Sequence, residues 1–202
     1  RYLAPTVGTH GVYANSGTYG GMYSFKVTGE ELFPFTNLAQ TSLWTPAVDA
    51  MGVYTYTGGY LRVFDPLTGQ EIHTIADPSF QNFVYEISGA PVVGAPGSVF
   101  VANYANAVIG QANSLIKFDL ATDSIDWDVP GNYTTTPSYD DGVVYAVNEN
   151  PQRLEARAEA DGSLLWWWTP PFVATTLRSE ALLTKNLVIV STASGTFANM
   201  LV

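Results

Sequence analysis

Gly52-Val53-Tyr54 is a turn residue followed by a β-branched/aromatic pair, and the element returns along the chain. Gly11-Val12-Tyr13 precedes it; Gly97-Ser98-Val99-Phe100, Gly142-Val143-Val144-Tyr145 and Asn186-Leu187-Val188-Ile189 follow. From Tyr13 to Tyr54, Phe100, Tyr145 and Ile189 the steps are 41, 46, 45 and 44 residues. So regular a period marks a repeat architecture. Pro5, Pro46, Pro91 and Pro137 stand upstream of the first four copies, and Ser179-Glu180-Ala181 takes that place in the fifth. Proline is tolerated at the first residue of a strand, where its missing N–H costs no ladder bond.

Downstream of each element comes a third extended segment: Met22-Tyr23-Ser24-Phe25, Leu61-Arg62-Val63-Phe64, Leu115-Ile116-Lys117-Phe118 and Leu154-Glu155-Ala156-Arg157. A tight turn follows, at Thr28-Gly29, Thr68-Gly69, Thr122-Asp123 and Asp161-Gly162. Gly supplies positive φ there without steric cost, and Asp is among the few residues that tolerate it. Four residues beyond each turn position stand Phe33, His73, Trp127 and Trp166, planar side chains on a fourth strand. Four short strands per repeat make one propeller blade. Gly and Pro interrupt every helical period, and a β-sandwich, the competing all-β fold, seldom repeats one four-strand pattern. The expected fold is all-β, a β-propeller of four-stranded antiparallel blades at residues 4–44, 45–89, 90–135, 136–178 and, in part, 179–202. About four and a half blades would leave open faces. A seven- or eight-bladed ring completed by further residues, or self-association, is therefore expected, and both ends read as cut.

Composition narrows the functions. Hydrophobic residues are 47% and charged residues 13% of 202, and 18 acidic against 8 basic residues give a net charge of -10. That sign repels phosphate backbones and anionic lipid, so neither nucleic acid nor a membrane surface is an expected partner. There is no cysteine, which excludes disulfides, thiolate metal sites and a thiol nucleophile. No apolar stretch reaches the ~20 residues of a transmembrane helix, and no signal peptide is visible.

Val63-Phe64-Asp65-Pro66-Leu67-Thr68-Gly69-Gln70 resembles the core of the pyrroloquinoline-quinone (PQQ)-like propeller repeat, in which an Asp-x-x-Thr-Gly turn precedes an outer-strand Trp. Lys117-Phe118-Asp119-Leu120-Ala121-Thr122-Asp123, running on to Trp127, is similar, as is Ala158-Glu159-Ala160-Asp161-Gly162, running on to Trp166. Phe25-Lys26-Val27-Thr28-Gly29 is a shorter copy. The resemblance implies radial blades, an extracytoplasmic location in periplasm, at the cell surface or secreted, and a Trp that docks one blade on its neighbour. His73 stands at that docking position, so packing is expected of it rather than metal binding or base catalysis. Core packing is expected for Trp166-Trp167-Trp168, with Trp168 the most exposed.

Loops on a rigid scaffold gather binding residues. The four-to-one connections (34–45, 74–90, 128–136 and 169–179) share a face with the two-to-three loops. The third copy enlarges its two-to-three loop by roughly residues 102–113. Candidate ligand- or partner-binding residues on that face are Asn103, Tyr104, Asn106, Tyr133, Trp168 and Arg178. The aromatic, amide-rich rim suits a protein partner or a neutral polar ligand. No catalytic or metal-binding residue is assigned, and no cofactor is expected. The reading reached is a non-catalytic scaffold for protein interaction or ligand binding. The alternative is a fragment of a PQQ- and calcium-dependent alcohol or sugar dehydrogenase. A third reading is a structural blade array in a larger cell-surface protein.

Overall fold

The computed structural model describes residues 4–17, 20–39, 44–80, 90–103, 113–170, 175–177, 180–185, 187–194 and 197–201. Each repeat proline sits one residue ahead of a first strand. Pro5 precedes β1 (Thr6–Val7), Pro46 precedes β4 (Ala47–Val48), Pro91 precedes β8 (Val92–Val93) and Pro137 precedes β12 (Ser138–Asp140). The recurring aromatic pairs with the residue just after that proline: Thr6 with Tyr13, Ala47 with Tyr54, Val92 with Phe100, and Ser138 with Tyr145. In the fifth unit Leu182 pairs with Ile189 at the same register.

The second strands are β2 (Val12–Asn15), β5 (Val53–Thr57), β9 (Ser98–Ala102) and β13 (Val143–Glu149). The third are β3 (Met22–Phe25), β6 (Tyr60–Phe64), β10 (Asn113–Asp119) and β14 (Gln152–Ala158), and the outer ones β7 (Glu71–Ala76), β11 (Ser124–Gly131) and β15 (Leu164–Trp168). They form antiparallel sheets in chain order, three of them four-stranded. The first sheet is β1-β2-β3, and its outer segment makes only single bridges, from Glu31 to Phe25 and from Thr36 to Met22. Pro34 explains this, because it has no N–H to give β3. In the fifth unit β17 (Leu182–Thr184) pairs with β18 (Leu187–Ile189). There β19 (Ser191–Ser194) lies between β16 (Thr175–Leu177) and β20 (Phe197–Leu201). Among the described residues there is no α-helix.

First strands of consecutive sheets lie side by side, β1 by β4, β4 by β8, β8 by β12 and β12 by β17, as blades around an axis require. The core lies between sheets. One cluster joins Tyr54 and Val63 to Val99 and Phe118, the next joins Phe100 and Leu115 to Val144 and Ala146, and a third joins Leu154 to Leu177 and Val190.

A bulge recurs where each third strand meets its outer strand, between Val63 and Phe64, Lys117 and Phe118, and Ala156 and Arg157. It aims the docking residue at the next sheet's turn. That turn residue is left-handed, with φ of 69° at Gly69, 50° at Asp123 and 71° at Gly162. A Cβ on Gly69 would come within 2.5 Å of the Phe33 ring, and one on Gly162 within 3.0 Å of Trp127. Trp127 Nε1–H also donates to the Glu159 carbonyl at 2.8 Å. His73 reaches the same place by different chemistry, with Nδ1 2.6 Å from Oδ1 of Asp123. The small glycine therefore faces a ring, and the one aspartate faces the imidazole.

Candidate functional site

Where β7 ends, Asp77 is buried and collects four donors, one of them the Ser79 backbone N–H, which reaches Oδ1 at 2.9 Å. Tyr56 O–H donates to Asp77 Oδ2 at 2.6 Å, Asn103 Nδ2 to the same oxygen at 3.0 Å, and Ser79 O–H to Oδ1 at 2.6 Å. Asn103 Nδ2 also donates to Ser79 Oγ at 2.8 Å, and Asn103 Oδ1 accepts the Ser114 backbone N–H at 2.5 Å. Burial, then the Asp77 charge, pushes the Tyr56 hydroxyl well above its usual pKa. Asn103 is 4% exposed, so the structure places it inside a clamp between the second and third sheets rather than on an accessible rim. Asn103→Ala strips the clamp of three hydrogen bonds and leaves a buried backbone N–H unpaired. Urea denaturation is expected to show a loss of about 1–3 kcal/mol with an unchanged m-value.

A second clamp joins the third and fourth sheets. Arg153, Glu155 and Arg157 alternate along β14 and so point to one face. Glu155 is 0% exposed. Its Oε1 accepts from Arg153 Nε at 2.6 Å and from Asn148 Nδ2 at 3.1 Å. Its Oε2 accepts from Arg157 Nε and from the Tyr133 hydroxyl, both at 2.7 Å. Burial pushes the carboxyl up, but Tyr133 and the two guanidiniums outweigh it and hold Glu155 below the ordinary glutamate value. Tyr133 is raised by burial first and by Glu155 second. It too is interior, with its hydroxyl committed to the carboxylate.

Of the other candidates, Tyr104, Asn106 and Arg178 lie outside the described residues. Trp168 is half-buried against the cluster of Leu154, Leu177 and Val190. The exposed members of the Trp run are Trp166 (42%) and Trp167 (56%), which corrects the expected order and the expected core packing of those two. For Trp167 the cause is register. Trp168 pairs with Leu154, whose face the fifth unit covers, whereas Trp167 pairs with Glu155 and faces the third sheet. Leu165, also on that face, is 52% exposed, and the Arg153 guanidinium lies 5.9 Å from the Trp167 ring centroid.

Calcium takes about six to eight oxygen ligands. Among the described residues no three His, Cys, Asp or Glu side chains are grouped to hold a metal ion, and Arg153 and Arg157 are both engaged by Glu155. The described residues do not fit a calcium–quinone site.

The sequence profile for outer membrane protein assembly factor BamB matches residues 3–167. The chain belongs to that family. Its fold is shared with BamB from Moraxella catarrhalis at a TM-score of 0.69 and 14% identity, over 97% of this chain and 61% of that one. The quinohemoprotein alcohol dehydrogenase of Comamonas testosteroni superposes with a TM-score of 0.67 at 13% identity, over 95% of this chain and 39% of that enzyme. A europium-containing methanol dehydrogenase gives 0.63 at 15%, over 93% and 46%. At such identities the likeness shows the β-propeller fold alone. Among curated proteins, flagellin B2 of Halobacterium salinarum is 33% identical over 102 residues, half of each chain. The chain thus spans about half the length of that relative and 61% of the BamB structure. No helix among the described residues is long and apolar enough to cross a membrane.

Proposed function

We propose that this BamB-family propeller is a non-catalytic, extracytoplasmic interaction scaffold with a protein partner. The observation that carries this is the outer edge of the fourth sheet. Leu165 and Trp167 occupy positions that hold Asp126 and Asp128 in the third sheet and Ile72 and Thr74 in the second. The four strands of the third sheet, on the side they face, are all described, and both side chains remain more than half exposed. β15 is also the last strand of its sheet, and among the described residues nothing pairs with its outer backbone edge. An open edge beside an apolar pair suits strand addition by an extended segment of a partner. The extracytoplasmic location is supported by the family's description as an outer membrane assembly factor.

A photo-crosslinking residue at position 167, in cells of the source organism, is expected to give one discrete protein adduct. The same residue at Asp126 gives none. Leu165→Asp combined with Trp167→Asp is expected to weaken binding of the crosslinked protein by about tenfold or more while leaving the unfolding midpoint in place. No adduct at 167, or equal adducts at both positions, overturns the assignment. Adding PQQ and Ca²⁺ is expected to leave the quinone absorbance unshifted, and a saturable shift would favour the dehydrogenase-fragment reading.

A further inference from the structure

Between the second and third sheets lies a cavity of about 460 Å³. Tyr54 and His73 line it from one sheet, Val93 and Leu120 from the other, and Asp49 adds a carboxylate. Met51 and Ile72, both exposed, give it an apolar rim. Its size falls within the range of small-molecule pockets.

The repeat explains why the space is open. At the boundary between the third and fourth sheets, the positions of Tyr54, His73, Val93 and Leu120 are held by Phe100, Trp127, Tyr139 and Glu159. There the rings fill the volume. Phe100 lies 5.8 Å from Trp127 and stacks on Tyr139 at 5.5 Å, centroid to centroid. The Trp127 indole N–H is satisfied by the Glu159 carbonyl. At the cavity, His73 replaces the indole and Val93 replaces the phenol, two large-to-small exchanges at one contact. The imidazole is also held toward Asp123, at the turn.

We propose that this cavity binds a planar aromatic ring carrying an N–H donor, of indole size. The shape argument is that an indole fills the equivalent space one boundary away. The charge argument concerns Asp49. Its Oδ1 already accepts the Met51 and Gly52 N–H groups and the Tyr54 hydroxyl, while its Oδ2 accepts no hydrogen bond among the described residues. A fixed carboxylate there, in a chain of net charge -10, favours a donor or a cationic group and rejects an anionic ligand. Leu120, at the place of Glu159, presents the main-chain position that accepts from the docked indole in the neighbouring boundary. The site is separate from the β15 edge, and its test does not depend on that assignment.

Indole and the capped peptide acetyl-Gly-Trp-Gly-amide, each titrated into the chain by calorimetry, are the two probes. Saturable one-site binding of at least one is expected. Tighter binding of the peptide identifies the side chain of a protein partner as the source, and tighter binding of indole a free small molecule. His73→Trp combined with Asp123→Gly rebuilds the filled boundary. It is expected to weaken binding by about tenfold or more without lowering the unfolding midpoint. Val93→Tyr, which puts a phenol where Tyr139 stands in the next boundary, is the second variant and is expected to do the same. The proposal is overturned if neither probe saturates, or if a folded filled variant binds within about twofold of the parent.

Discussion

Glu155→Ala is expected to lower the free energy of unfolding by about 3–5 kcal/mol, measured by urea denaturation. Removing the carboxylate does more than delete four hydrogen bonds. It leaves the Arg157 guanidinium, whose side chain is 11% exposed, beside the buried Tyr133 hydroxyl and the Gly162 carbonyl, with no second ion-pair partner among the described residues. Arg153, 23% exposed, can turn outward, so the larger share of the loss falls on Arg157. Tyr133→Phe removes one charge-assisted hydrogen bond and keeps the ring, so it is expected to cost only about 1.5–3 kcal/mol. If Glu155→Ala costs no more than Tyr133→Phe, the two arginines are not held by this carboxylate.

The same clamp gives a sign for acid sensitivity. The Glu155 pKa is depressed in the folded chain relative to its ordinary value of 4.5. A depressed carboxyl contributes stability that is fully present above the unfolded value and is lost as pH falls through the folded one. The parent should therefore lose stability below about pH 4.5 more steeply than Glu155→Gln does. Arg157 bonds the Gly162 carbonyl as well as Glu155, so the fourth sheet's turn is tied to the clamp. Acid should therefore loosen the boundary between the third and fourth sheets.

The repeat was legible because it is written in backbone requirements: a proline before each first strand, a residue tolerant of left-handed φ at each turn, a ring four residues later. Those depend on neighbours in sequence. The clamps depend on neighbours in space. Asn103 sits in the longest two-to-three loop, where an amide suggests a ligand contact, but the approach of Asp77 from the previous sheet makes it a brace. Arg153-x-Glu155-x-Arg157 was the available signal for the second clamp, since alternate spacing puts three charges on one strand face. Nothing in that spacing names Tyr133, which arrives from another sheet's trailing connection. The Trp run shows the same limit. Alternation predicts two faces for Trp166, Trp167 and Trp168, and only packing decides which face is covered.

The docking residues provide the other large expected effect, because the boundaries are filled to different extents. Trp127→Ala is expected to cost about 3 kcal/mol, the low end for an aromatic truncation, since the ring is half-buried. The loss combines the Phe100 ring contact, the packing on Gly162 and the hydrogen bond to the Glu159 carbonyl. His73→Ala removes a partly exposed imidazole beside a cavity that already exists, so it is expected to cost about 1 kcal/mol or less. Equal costs would mean that the second-to-third boundary is as tightly filled as its neighbour and that the cavity is closed in solution. A large gap, read from denaturation of both variants under one condition, would show that one boundary of this propeller has exchanged packing for an open space.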